Sequence, residues 1–374
     1  MSNRGSMTVL PVSLYFMPEW WDVHFHALIP RPDAPSRPAL EAMYLDRQRF
    51  LFEQLGAWGC GQEDPELGPG QIATVIRYGF DLVPALLGTR LDFTEAWGFY
   101  PRFRGLDEVR SLQAVDVAQH AEGEWLIQEA ASLRARYGGC LHCLDLGSVT
   151  NNAFRILGES LYAELIANPT SVTALFEVIL QTMEHLYTFL DGLFGPTDPV
   201  PISNCNVSLM GPRLYGEVVL PFDARQNRFA EHRFGCPPRA AVHHCDVPAD
   251  LFLTAYARLP GVASLQAAVT SDLAAARQAL PHTDFSALVS PGLLSGKTDL
   301  LRDLLRRALA ADVADLALWN IDAGTSPEEV KNVLEMIRSI GSDVGRSPVF
   351  SALPLCWDEI EWAHGRYQGQ NLNL

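Results

Sequence analysis

The chain has 374 residues, of which 48% are hydrophobic and 19% are charged, so it can bury a large core and need not be disordered. Its 28 basic and 44 acidic residues give a net charge of −16, which disfavours nucleic acids and anionic membranes as partners. No apolar run reaches the roughly 18 residues that span a bilayer, and seven cysteines are too few for a disulfide scaffold. We therefore expect a cytoplasmic protein of enzyme size with reduced thiols.

Eight short apolar runs typical of β-strands recur along the chain, and helical patterns follow them. The runs are Thr8–Phe16, Ile72–Tyr78, Gly139–Leu146, Val200–Ser203, Arg239–His244, Val262–Val269, Phe285–Val289 and Asp315–Trp319. Strands that alternate with helices imply parallel crossovers. Eight of them at this length predict an α/β protein with one (β/α)8 TIM barrel over residues 1–374 and an extended N-terminal loop and helix region. A doubly wound open sheet is the alternative.

Polar side chains follow the predicted strands where they end, which is the catalytic face of such a barrel. Asn204 and Asn206 follow the fourth strand and Asn320 follows the eighth, so they are candidate contacts of a small-molecule substrate. Trp20 lies in an aromatic segment after the first strand and could wall a pocket, or pack beneath a lid. Arg155 could meet an anionic substrate, although such residues more often form structural ion pairs.

The triplet that contains His243 and Cys245 ends the fifth predicted strand. Alternate side chains of a strand share a face, so the imidazole and the thiol point the same way. Both are zinc ligands, and a catalytic zinc site keeps one position open. The third ligand stays open at this stage, with Cys205 as the first candidate and Asp322 and Glu63 behind it. The alternative is a buried cysteine beside a hydrogen-bonded histidine.

Several segments carry a family resemblance through their order and spacing. They are Gly147 to Gly158, Tyr215 with Leu220-Pro221, Val242 to Cys245, and Ser326 to Val330. In these segments the chain resembles the uroporphyrinogen decarboxylase (URO-D) superfamily, which also contains zinc-dependent methyltransferases that move methyl groups to or from corrinoid proteins or coenzyme M. The resemblance implies a (β/α)8 barrel with its active site at the strand C-termini, and it allows a homodimer.

The resemblance covers two chemistries, and the residues distinguish between them. True uroporphyrinogen decarboxylases carry arginines near the N-terminus that bind the substrate's carboxylates, whereas residues 15–22 contain no arginine here, which argues against that substrate. The methyltransferases use His-x-Cys and a later cysteine as zinc ligands. His243 and Cys245 match the first pair, but Asn320 stands where the later cysteine is expected, so Asp322 or Cys205 would complete the site.

Three hypotheses about function follow. The first is a zinc-dependent methyltransferase that acts with a corrinoid protein or a thiol acceptor. The second is a metal-free decarboxylase or lyase acting on a smaller carboxylic acid, in which Asp246, Asp272 or Asp322 donates a proton from a carboxyl group whose pKa burial raises, and Tyr215 orients the substrate. The third is a barrel that binds a ligand without catalysis.

Overall fold

Strands and helices alternate along the chain. The structure, a computed structural model, describes residues 9–25, 37–67, 75–78, 81–94, 98–138, 141–144, 146–195, 200–229, 231, 235, 237–245, 247–295 and 297–353. The strands are β1 (Val9–Phe16), β2 (Val75–Tyr78), β3 (Leu91–Thr94), β4 (Gly98–Pro101), β5 (Leu141–Leu144), β6 (Val200–Ser203), β7 (Ala240–His243), β8 (Val262–Ala268), β9 (Asp284–Val289), β10 (Asp315–Ile321) and β11 (Ser347–Leu353). Each of the eight predicted strand segments overlaps one of these strands.

The α-helices lie mainly between consecutive strands. They are Pro18–Phe25, Arg37–Leu55, Leu82–Leu86, Leu106–Val109, Ala121–Tyr137, Val149–Leu157, Ser160–Ala167, Pro169–Phe194, Gly211–Leu214, Leu220–Asn227, Leu253–Tyr256, Leu273–Ala279, Pro291–Leu294, Thr298–Ala310 and Pro327–Asp343. A π-helical turn covers Tyr215–Val219. Among the described helices, none combines the length and the apolar composition needed to cross a membrane.

The strands form one large sheet and two small ones. Seven strands follow the order β11-β1-β10-β9-β8-β7-β6, and the pairs whose register is described are parallel. β2 pairs with β5 in parallel, and β3 pairs with β4 in antiparallel. The predicted α/β class with parallel strands is therefore confirmed.

The predicted closure into eight strands is not found in the described part of the chain. The large sheet has seven strands and is open, with β6 and β11 at the two ends of its order. β1 is hydrogen-bonded to β10 on one edge and to β11 on the other, so it has no edge left for β2. The sequence analysis missed β11 because Pro348 disfavours a strand, yet proline is tolerated where a strand ends a sheet.

The chain forms two compact units. One comprises residues 1–67, 245–250 and 264–359, and the other comprises residues 68–244, 251–263 and 360–374. In the first unit, β1 buries every second side chain, beginning with Leu10 and Val12. In the second unit, the helix Pro169–Phe194 buries Phe176 and Met183. Each unit thus has its own apolar core.

Asn320 adopts a backbone conformation that is unusual within a strand. Its φ is 54°, in the left-handed region that asparagine tolerates better than most residues. The register between β1 and β10 shifts between Leu14 and Phe16, which indicates a β-bulge beside Asn320.

We expect Asn320→Val to lower the free energy of unfolding by about 1–2 kcal/mol, because a β-branched side chain is strained at positive φ. Asn320→Gly relieves this strain and should leave stability within about 1 kcal/mol of the wild type. Urea unfolding of the three proteins measures both effects. Equal stability of the valine and glycine variants would contradict the assigned conformation.

Candidate metal centre

The ends of β6 and β7 lie level with each other. Ser203 pairs with His243 in the parallel register, and the backbone N–H of Asn204 donates to the carbonyl of His243 at 2.8 Å. Cys205 and Cys245 each follow two residues after a member of this pair. Both cysteines thus lie just beyond the ends of two adjacent strands, where the chain can bring their thiols near the imidazole.

The structure brings the three predicted metal ligands together. The ligand atoms of Cys205, His243 and Cys245 all lie within 4.8 Å of one another, and the three residues are half-buried. Among the described residues, Asp322 and Glu63 do not belong to this group. The group could therefore hold a metal ion with Cys205, the first candidate, as its third ligand.

The donor set fits a particular class of metal. Thiolate and imidazole ligands favour zinc and other borderline or soft ions over magnesium or calcium. Two thiolates also balance the charge of a divalent cation. Three protein ligands leave a fourth tetrahedral position for a substrate atom, as in catalytic zinc sites.

A buried polar cluster adjoins the residue that precedes Cys205. Asn204 Nδ2 donates to Asp223 Oδ2 at 3.0 Å and to the hydroxyl of Tyr215 at 3.3 Å. The Tyr215 hydroxyl donates to the same carboxylate oxygen at 2.9 Å. Burial raises the pKa of Asp223 to about 6, although both hydrogen bonds lower it. Burial also raises the pKa of Tyr215, and the nearby Asp223 carboxylate raises it further.

His244 lies between the candidate ligands His243 and Cys245 in the chain, and its side chain is buried. Its Nδ1 lies 2.7 Å from the hydroxyl of Tyr256, and its ring lies 5.1 Å from that of Phe252. His244 and Tyr256 are both fully buried. Burial raises the pKa of Tyr256 well above its usual value. The ring of Tyr256 meets that of Tyr215 edge to face at 5.7 Å, so the two hydrogen-bonded groups are in contact.

The carboxylates that the sequence suggested as proton donors have other roles in the structure. Asp272 is exposed, and its Oδ1 accepts from the N–H of Ala275 at the start of a helix. Asp322 is also exposed, and its Oδ1 accepts from the N–H of Gly324 at 3.0 Å. Asp246 lies outside the described residues. The burial expected of such a donor is therefore lacking at Asp272 and Asp322.

Asp223 is the buried acid that the sequence analysis missed. It lies eight residues after Tyr215, and residues at that spacing point about 80° apart in a regular α-helix. The π-helical turn Tyr215–Val219 adds a residue to one turn, which lets the two side chains meet. A π turn has no reliable sequence signal, so the spacing alone did not indicate the contact.

Trp20 belongs to the core of its unit. Its side chain is fully buried, and its ring lies 4.1 Å from that of Phe16 and 5.0 Å from that of Trp21. Its Nε1 donates to the carbonyl of Thr325 at 2.8 Å. These contacts correspond to the packing alternative that the sequence left open, and the aromatic segment forms the helix Pro18–Phe25.

The remaining candidate substrate contacts interact with residues other than the three candidate metal ligands. Arg155 is held by Asp81, with Nη2 at 2.5 Å and Nε at 2.7 Å from Oδ1, which matches the structural alternative. Asn206 is half-buried, and its carbonyl accepts from the hydroxyl of Tyr162 at 3.3 Å. Asn320 is half-buried at the bulge of β10.

Comparison with known proteins gives a fold likeness. No family model matches the sequence, and no curated protein matches it. The structure is similar to that of a methyltransferase from Methanosarcina mazei, with a TM-score of 0.56 over 90% of this chain and 94% of that chain. The sequences are 14% identical, so the likeness shows a shared fold.

Proposed function

We propose that the protein is a zinc-dependent methyltransferase of the URO-D superfamily that acts with a corrinoid protein or a thiol acceptor. The observation that carries the proposal is the group formed by Cys205, His243 and Cys245, whose ligand atoms lie within 4.8 Å of one another. Its donor types suit zinc and leave one position open. The fold likeness to a methyltransferase supports the same reaction class.

The chain's own residues prepare the site for such a reaction. Cys205 and Cys245 would bind as thiolates, and His243 as a neutral imidazole. Zinc bound to these three residues would lower the pKa of an acceptor thiol, so that the thiol binds as a thiolate. The acceptor sulfur would then form a bond to the methyl group, while the electron pair of the broken bond stays on the donor.

Other parts of the prediction remain proposals. A small-molecule substrate, a homodimer and a single domain over residues 1–374 are what the sequence resemblance implies. A decarboxylase gains no support from Asp272 and Asp322, which are exposed and accept hydrogen bonds from the backbone N–H groups of Ala275 and Gly324. An activity assay distinguishes the proposed enzyme from a protein that binds a ligand without catalysis.

The test measures metal content and methyl transfer in the same preparation. The protein is purified without a His-tag or chelating resin and assayed with methylcobalamin as donor and coenzyme M or dithiothreitol as acceptor. We expect one zinc per chain and a methylated thiol, with the rate reduced at least 100-fold in His243→Ala. Cys60→Ala, which removes a buried thiol outside the ligand group, should keep both properties. Zinc without a methylated thiol would overturn the proposed reaction, and absence of metal would overturn the zinc site.

A further inference from the structure

The polar cluster of Asn204, Tyr215, Asp223, His244 and Tyr256, here called the Asp223 cluster, has no part in the proposed reaction. All five side chains are at most 1% exposed. Burying a carboxyl group costs free energy, which is reflected in the raised pKa of Asp223. Among the described residues, Asp223 Oδ1 has no hydrogen-bond partner, so its burial is only partly compensated. Such a group is unfavourable for stability alone, which points to another role.

One side of the Asp223 cluster fixes the end of β6. Asp223 Oδ2 accepts two hydrogen bonds, from Asn204 at 3.0 Å and from Tyr215 at 2.9 Å. The amide of Asn204 is thereby held at two points, by Asp223 and by the hydroxyl of Tyr215. Because Asn204 directly precedes Cys205, the backbone that carries this ligand has little freedom to rotate.

The other side of the Asp223 cluster fixes the end of β7. The hydroxyl of Tyr256 lies 2.7 Å from Nδ1 of His244, and neighbouring side chains on a strand point to opposite faces. Anchoring His244 in the interior therefore turns His243 and Cys245 to the opposite face. The rings of Tyr215 and Tyr256 are 5.7 Å apart, so the two anchors are packed against each other.

We infer that Asp223 and Tyr256 are positioning residues for the metal centre, which hold the ends of β6 and β7 so that the three ligands are already in place before an ion binds. The inference rests on the metal site of the proposed function, but not on methyl transfer. Residues that orient metal ligands through hydrogen bonds typically change metal affinity by about 10–100-fold when they are replaced.

The test compares metal affinity in two variants, one for each side of the Asp223 cluster. Asp223→Asn removes the charge that strengthens its hydrogen bonds and replaces one carboxylate oxygen with a donor. Tyr256→Phe removes the hydroxyl that meets His244 and Asn204. Affinity for Zn²⁺ is measured by competition with a chromophoric chelator, and the geometry is read from the visible absorption of bound Co²⁺. We expect each variant to bind Zn²⁺ about 10–100-fold more weakly and to give an altered cobalt spectrum.

Matched controls make the same chemical changes elsewhere. Asp315→Asn alters a half-buried carboxyl group elsewhere whose pKa burial also raises, and Tyr187→Phe removes another buried tyrosine hydroxyl. Both should bind Zn²⁺ within about twofold of the wild type. A purely structural role would change the unfolding temperature in either direction without changing metal affinity, so affinity is the deciding measurement.

The outcomes separate this inference from the proposed function. If the wild type binds zinc, and folded Asp223→Asn and Tyr256→Phe bind it equally well, the inference is wrong and the metal site stands. If Asp223→Asn does not fold, as judged by circular dichroism, Tyr256→Phe decides alone. If the wild type binds no zinc, both the proposed function and the inference are wrong. If both variants bind weakly but methyl transfer is never observed, the inference stands and the proposed reaction fails.

Discussion

Cys205→Ala should weaken zinc binding about 100-fold while the protein remains folded. Four-ligand structural zinc sites have binding free energies of about 10–16 kcal/mol, so one ligand contributes about 3 kcal/mol, which corresponds to about a 100-fold change in affinity. Cys205 is half-buried, and alanine fits the space of its side chain. His243→Ala and Cys245→Ser should have effects of the same size, because the three residues contribute equivalent positions.

The control for this prediction is a thiol that is not a ligand. Cys60 is buried, which raises the pKa of its thiol to about 12, and Cys60→Ala should leave zinc affinity unchanged. Isothermal titration with Zn²⁺ compares all four variants. If Cys245→Ser abolishes binding but Cys205→Ala does not, the third ligand is a different residue, and Asp322→Ala becomes the next variant to measure.

Asp223→Asn should have a higher free energy of unfolding than the wild type, and this difference should grow as the pH rises from about 4 to 7. The folded state raises the pKa of Asp223 to about 6, whereas an unfolded aspartate has a pKa of about 3.9. Below both values the carboxyl group is neutral in both states and the folded protein carries no charge penalty. Above both values it is ionised in both states, and the folded protein carries the full penalty of about 3 kcal/mol.

Asparagine does not titrate in this range, so the difference in unfolding free energy between the variant and the wild type isolates this one group. Denaturation in urea at several pH values measures it. Asp303→Asn, at an exposed carboxylate, controls for the loss of one negative charge. A difference between Asp223→Asn and the wild type that stays constant from pH 4 to 7 would contradict a buried carboxyl with a raised pKa.

Much of the fold follows from patterns of a few residues. Each of the eight predicted strand segments overlaps a strand, and helices follow most of these strands, because apolar periodicity acts locally. The order of the strands could be predicted only in part. Distant segments compete to pair with the second edge of β1, and local patterns do not show which one succeeds. β11, which takes this position, contains a proline, and proline is unfavourable in most strands.

The grouping of Cys205, His243 and Cys245 could be predicted from the sequence for a simple reason. Strand alternation places His243 and Cys245 on one face, and adjacent parallel strands place Cys205 beside them. The buried acid could not be predicted in this way. Asp223 meets Tyr215 only through a π turn. Asp272 and Asp322 resemble catalytic acids in sequence, although in the structure the first caps a helix and the second accepts a hydrogen bond within a turn.

The pairing of Ser203 with His243 has a consequence for how the protein reaches its native state. A slip of one residue between β6 and β7 would turn Cys205 to the opposite face of the sheet, so only one alignment assembles the three ligands. A bound ion would stabilise only that alignment, because only that alignment binds it. Coordination would thus select the correct strand alignment during folding, and chains that had folded with zinc present would contain fewer misaligned forms than chains folded without it.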